Sequence, residues 1–141
     1  MTKSTASLRV FGDDLEPDEV TKLLGCEPTA SYRKGDLVSK KPGRLATRKY
    51  GMWSLQASDA EPEAFDNQIH LLLSQVTEDT NIWHELGDHF QVDLFLGFFM
   101  IETNQGFNLS KKTLSELSVR GIAPVFDVYA PLTEEGNDAP H

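Results

Sequence analysis

A chain of 141 residues, 39% of them hydrophobic, with 22 acidic against 13 basic residues and a formal net charge of -9, has the size of one domain and not two. Its longest apolar run, the eight residues Leu94 to Ile101, is far short of the roughly 20 that a membrane-spanning helix needs, and the acidic surplus repels nucleic acid and anionic membranes alike. The single cysteine and the absence of a basic-then-apolar stretch over Met1 to Ser7 point to a cytoplasmic protein that folds without disulfides, metal or cofactor.

In chain order, Ser7 to Gly12 predicts a first strand carrying Leu8, Val10 and Phe11. A helix follows from Pro17: Asp18 and Glu19 suit its N-terminal dipole, Leu15 and Val20 have the spacing of a hydrophobic staple, and Gly25 ends it. Residues 29–49 read as one long exposed loop, with Gly35, Ser39, Pro42 and Gly43 and no apolar period. Tyr50 to Ala57 predicts a second strand. Pro62 opens a longer helix with Phe65, Ile69, Leu72 and Val76 on one face, and Asn81 caps a short helical turn that Gly87 weakens. Phe90 to Thr103 predicts a central strand, apolar on both faces. Ser110 caps a further helix stopped by Gly121, and Ile122 to Tyr129 is the last strand.

The expected fold is a two-layer α+β domain over residues 1–130, with a four- to five-stranded mixed sheet and two to three helices on one face. Residues 131–141 form a flexible acidic tail. Strand parity leaves Phe11, Phe95, Phe99, Ile101 and Tyr129 on the uncovered sheet face, where a homodimer would meet itself.

Charge is unevenly spread. Arg33, Lys34, Lys40, Lys41, Arg44, Arg48 and Lys49 face only Asp36, so residues 33–49 carry +6 and the rest of the chain -15. The predicted ligand site is this loop: Thr29, Arg33, Lys34, Arg44 and Arg48, with Trp53 at its base, taking an acidic partner protein or a small anion. Lys111 and Lys112 beside the Ser110 cap are further candidates, because free amides at a helix start attract anions. Asp93 and Asp127 interrupt apolar strands on the uncovered face. If they share a pocket, one carboxyl is raised in pKa and a small enzyme becomes the alternative; Arg9 could instead neutralise one of them in a structural ion pair. His84 and His89 are the metal candidates, but the helical position four after His84 is Asp88, not a second histidine, and no third ligand is near, so no metal is expected. Cys26 has no paired histidine and reads as a small buried side chain.

The chain resembles a bacterial family, domain of unknown function 4279, from about Leu8 to Tyr129. The resemblance is carried by Phe11-Gly12 with Leu15-Glu16-Pro17-Asp18-Glu19-Val20, Leu24-Gly25, Glu27-Pro28-Thr29, Lys34-Gly35-Asp36, Gly51-Met52-Trp53-Ser54, Leu109-Ser110, and Gly121-Ile122 through Asp127-Val128-Tyr129. It implies a small stand-alone protein with no established activity or cofactor, brings no catalytic residue with it, and groups Pro28, Thr29, Gly35 and Trp53 around the basic loop, although a core anchor on the second strand would by itself explain Trp53. The function expected is a non-enzymatic binding module. An immunity-type protein, whose acidic body caps a basic toxin, is the other alternative.

Overall fold

The computed structural model describes residues 1–132. In chain order its elements are β1 (Lys3–Gly12), α1 (Pro17–Leu24), β2 (Ala30–Tyr32), β3 (Leu37–Lys41), β4 (Arg44–Thr47), β5 (Gly51–Gln56), α2 (Phe65–Ser74), α3 (Thr80–His89), β6 (Gln91–Phe99), α4 (Lys111–Arg120) and β7 (Ala123–Tyr129). The fold is α+β. Five strands form one mixed sheet in the order β2-β5-β1-β6-β7, in which only β6 and β7 run parallel, joined through α4.

Alternation in the strands decides which face is covered. Ala6, Leu8 and Val10 of β1, Trp53 and Leu55 of β5, and Leu94, Leu96 and Phe98 of β6 all point to one side. There they meet Val20 and Leu24 of α1, Phe65, Ile69 and Leu72 of α2, Trp83 and Leu86 of α3, and Leu117 of α4. The helices therefore form a single layer. Trp53 and Trp83 are fully enclosed, and each indole N–H is satisfied, by Thr21 Oγ1 at 3.0 Å and by the Thr77 carbonyl at 2.8 Å. The buried Gln68 of α2 bonds Ser4 of β1 on both sides, accepting from its hydroxyl at 2.7 Å and donating to its carbonyl at 3.0 Å. That pair docks α2 on the sheet without leaving an orphan amide.

Several expectations are corrected. Four helices cover the sheet, not two to three. α3 is a full ten-residue helix because Asp79, two residues before the expected cap, accepts the Asn81 N–H at 2.9 Å, and Gly87 is accommodated inside it. α2 starts at Phe65, not Pro62, and Val76 lies past its end while still buried. β1 begins at Lys3, earlier than expected, and β6 ends at Phe99, leaving Ile101 in a bend. α1 and α4 end at Gly25 and Gly121 as predicted.

The largest correction concerns the basic segment. It is no structureless loop: after the short strand β2 it folds into the antiparallel hairpin β3–β4, pairing Leu37 with Thr47 and Val38 with Ala46. Its turn is Lys41-Pro42-Gly43-Arg44. Proline presets the first central position, and Gly43, with φ of +77°, takes the left-handed conformation that the second one needs. The two strands pack chiefly on each other, so the hairpin is an arm. Of the expected acidic tail, residues 133–141 lie outside those described.

No helix among the described residues is long and apolar enough to cross a membrane.

Candidate functional site

The sheet's uncovered face begins at the root of the arm. Tyr32 of β2 and Met52 of β5 are register partners, and the Tyr32 hydroxyl lies 3.7 Å from Met52 Sδ. The Arg48 guanidinium lies over the Tyr32 ring, its carbon 3.9 Å from the centroid, which holds a long cation flat against an aromatic surface. Met52 pairs across with Phe11 of β1, and Phe11 meets the Tyr50 ring at 5.8 Å. Arg9, two residues before Phe11 on the same face, lies 5.3 Å from that ring and 4.5 Å from the Phe95 ring on β6. Further along, Lys3 lies over Phe99, which stacks on Tyr129 at 4.4 Å. Cations and aromatic rings thus alternate from the arm to the far edge of the sheet.

These cations are not equally free. Arg9 is committed to the buried Asp93 through two bonds of 2.8 Å, and Asp93 holds its guanidinium above its ordinary pKa. Lys3 lies 3.4 Å from Asp59. At the root of the arm Arg33 donates to Glu16 at 2.6 Å, which raises its pKa, and Lys34 lies 3.7 Å from Asp13. Among the described residues, Lys40, Lys41, Arg44, Arg48 and Lys49 form no ion pair. Three of them, Lys40, Arg48 and Lys49, line a recess of about 280 Å³ with Tyr32, Val38 and Tyr50 where the arm joins the sheet. On the arm's other face Leu37 and Leu45 are exposed.

The predicted ligand residues therefore separate. Arg44 and Arg48 stand on the free arm. Arg33 and Lys34 are tied to the acidic flank of α1. Thr29 uses its hydroxyl to accept the Gln56 N–H at 2.9 Å, closing the edge of the sheet. Trp53 points into the helix-side core, opposite to the recess, and is shut off from any ligand there. Sequence reasoning missed Tyr32 and Tyr50 as part of the site; the Pro42-Gly43 turn between two short polar-apolar runs was the signal that could have folded the loop and brought them to it.

Lys111 and Lys112 do not join this site, since α4 lies in the helix layer. Lys112 lines a cleft of about 530 Å³ between α2 and α4, together with Asp66, His70, Glu116 and Arg120. The start of α4 already holds a carboxylate of this chain, because Asp66 accepts the Ser110 N–H at 3.0 Å. The Ser110 hydroxyl caps the Thr113 N–H at 3.1 Å. An anion arriving at this helix start would meet Asp66 first.

The pairing of Asp93 and Asp127 in one pocket is corrected by the register. Asp93 sits beside Ala123, and Asp127 sits beside Gly97, four residues further along the ladder and about 13 Å away. Asp93 is neutralised by Arg9, and Asp127 accepts the Tyr129 hydroxyl at 2.6 Å, a bond that raises the phenol's pKa. Arg9 makes the structural ion pair that the strand pattern allowed. His84 lies 3.1 Å from the Val119 carbonyl and the His89 ring stands nearly perpendicular to that of Phe90; among the described residues no three side chains are grouped to hold a metal. Cys26 is only partly buried, not the enclosed side chain expected; desolvation, and then the Glu27 charge, still push its thiol up, which disfavours the thiolate.

No curated protein and no solved structure matches the chain. A family model matches residues 2–131, nearly the whole chain, so the protein belongs to the family described as Domain of unknown function (DUF4279).

Proposed function

We propose that the protein is a cytoplasmic binding module in which the β3–β4 arm and the adjoining aromatic face of the sheet receive an acidic segment of another protein. The observation that carries this reading is the difference between the cations at 33–49: two are neutralised at the root, and five on or beside the arm have no carboxylate partner among the described residues. A surface that needed lysines only to stay wettable would not set Arg48 flat on Tyr32 beside a recess lined by Lys40 and Lys49.

The net charge of -9 does not oppose this. At physiological ionic strength charges are screened over about 8 Å, whereas a five-residue strand such as β3 extends about 17 Å. The arm's tip therefore lies beyond the screened reach of the acidic body, and at its root Glu16 and Asp13 are already paired with Arg33 and Lys34. A folded acidic protein segment fits better than nucleic acid, which would bring a long polyanion against the body as well. Leu37 and Leu45 add apolar contact area on the arm.

Titrating isotope-labelled protein with a poly-glutamate peptide tests the reading. Amide shifts concentrated at residues 32–50 and on Phe11 and Met52 support it; shifts absent, or confined to the α2–α4 cleft, contradict it.

A further inference from the structure

The two edges of the sheet are built differently. At one, β2 is only three residues long and the chain leaves it for the arm. At the other, β7 runs for seven residues beside β6, and among the described residues nothing pairs with its outer side. Short edge strands discourage unwanted pairing, and long apolar ones invite it.

Backbone geometry identifies the groups on offer. The Met100 N–H donates to the Tyr129 carbonyl at 3.1 Å, so Tyr129 turns its backbone groups inward. Since these directions alternate along a strand, Val125 and Asp127 also face β6, and Pro124, Phe126 and Val128 face out. Asp127 apart, the side chains bordering this outer row are apolar or aromatic on both sheet faces. Val125, Phe126, Val128 and Tyr129 are 37%, 42%, 51% and 42% exposed, and Asp127, the one charged residue of β7, is engaged by Tyr129.

We propose that β7 is the seam of a homodimer, in which it pairs antiparallel with β7 of a second copy about a two-fold axis beside Phe126 and joins the two sheets into one. The strand is self-complementary in that register. Phe126 exchanges both backbone bonds with the partner's Phe126. Val128 donates its N–H to the carbonyl of the partner's Pro124, so the missing proline N–H costs bonds only at the ends of the ladder. Asp127 falls opposite the partner's Val125. The adjacent symmetric register, centred on Asp127, sets two carboxylates about 5 Å apart, and like charges directly opposite are destabilising. A foreign strand would need no such symmetry, whereas an isologous contact requires it. This seam leaves the uncovered sheet faces of both copies open and their arms at the outer ends, unlike a face-to-face dimer.

Sedimentation equilibrium of the full chain over a wide concentration range, with circular dichroism to confirm folding of each variant, tests the seam. The wild type is expected to dimerise. Val128→Lys, a change at a half-exposed site, is expected to weaken the dimer by about tenfold or more, while Phe11→Ser on the open face leaves it intact. A wild-type chain that stays monomeric throughout overturns the proposal. So does a dimer unmoved by Val128→Lys, or one lost through Phe11→Ser, which would assign the contact to the open face.

Discussion

Arg9 and Asp93 are register partners on adjacent strands and close a two-point ion pair across the middle of the sheet, Nε to Oδ1 and Nη2 to Oδ2, both at 2.8 Å. Asp93 keeps 5% of its side chain exposed and Arg9 28%, so the carboxylate is the partner that depends on the bond. Phe11 and Phe95 flank the guanidinium and keep it in place. Arg9→Ala is expected to cost about 3 kcal/mol in urea unfolding, because it leaves a buried charge unpaired. Replacing both residues with leucine should recover most of that loss. A single mutant as stable as the wild type would mean that Asp93 is hydrated.

That pair was legible in the sequence as a choice. A strand's period of two assigns faces without ambiguity, so Arg9, Asp93, Phe95, Phe99 and Asp127 could be placed on one side from β1, β6 and β7 alone. Parity does not set register, and only register separates Asp93 from Asp127. The arm was missed because Leu37 to Thr47 packs on no core, and hydrophobic period is what marks elements that do. α3 was shortened for a local reason: Asp79 and Asn81 are both good caps, and a helix interior containing Gly87 reads as weak until Trp83 and Leu86 are seen buried. Trp53 was legible in two ways, as the base of the loop or as a core anchor on the second strand, and alternation along β5 sends it into the helix-side core.

Trp53 separates stability from binding. Trp53→Phe keeps an aromatic ring in the core but loses the indole bond to Thr21, a cost of about 1 kcal/mol in denaturant unfolding. Its affinity for poly-glutamate should match that of the wild type. Trp53→Ala should cost about 3–5 kcal/mol. A change in affinity for Trp53→Phe would place the indole at the ligand and contradict its burial.

Tyr129 should titrate above the usual phenol range, chiefly because its hydroxyl donates to Asp127. A folded-state pKa above the unfolded one makes a stabilising contribution that is present below the unfolded value and lost as pH rises through the folded value. The fall in unfolding midpoint on the alkaline side should therefore be steeper in the wild type than in Asp127→Asn, and the Tyr129 ring resonances in Asp127→Asn should shift at lower pH. Identical ring titrations in the two proteins would show that the bond is absent in solution.

The arm's free cations should matter more than the paired ones. Fluorescence anisotropy with a labelled poly-glutamate peptide compares the wild type with two variants: Lys40, Lys41, Arg44 and Arg48 all changed to Ala, and Arg33 with Lys34 changed to Ala. The first is expected to keep its fold, because these side chains form no ion pair among the described residues, and to bind at least about tenfold more weakly. The second should bind within about twofold of the wild type, since its charges are already neutralised by Glu16 and Asp13. Equal affinity of the wild type and the four-alanine variant would show that the arm does not receive the acidic segment.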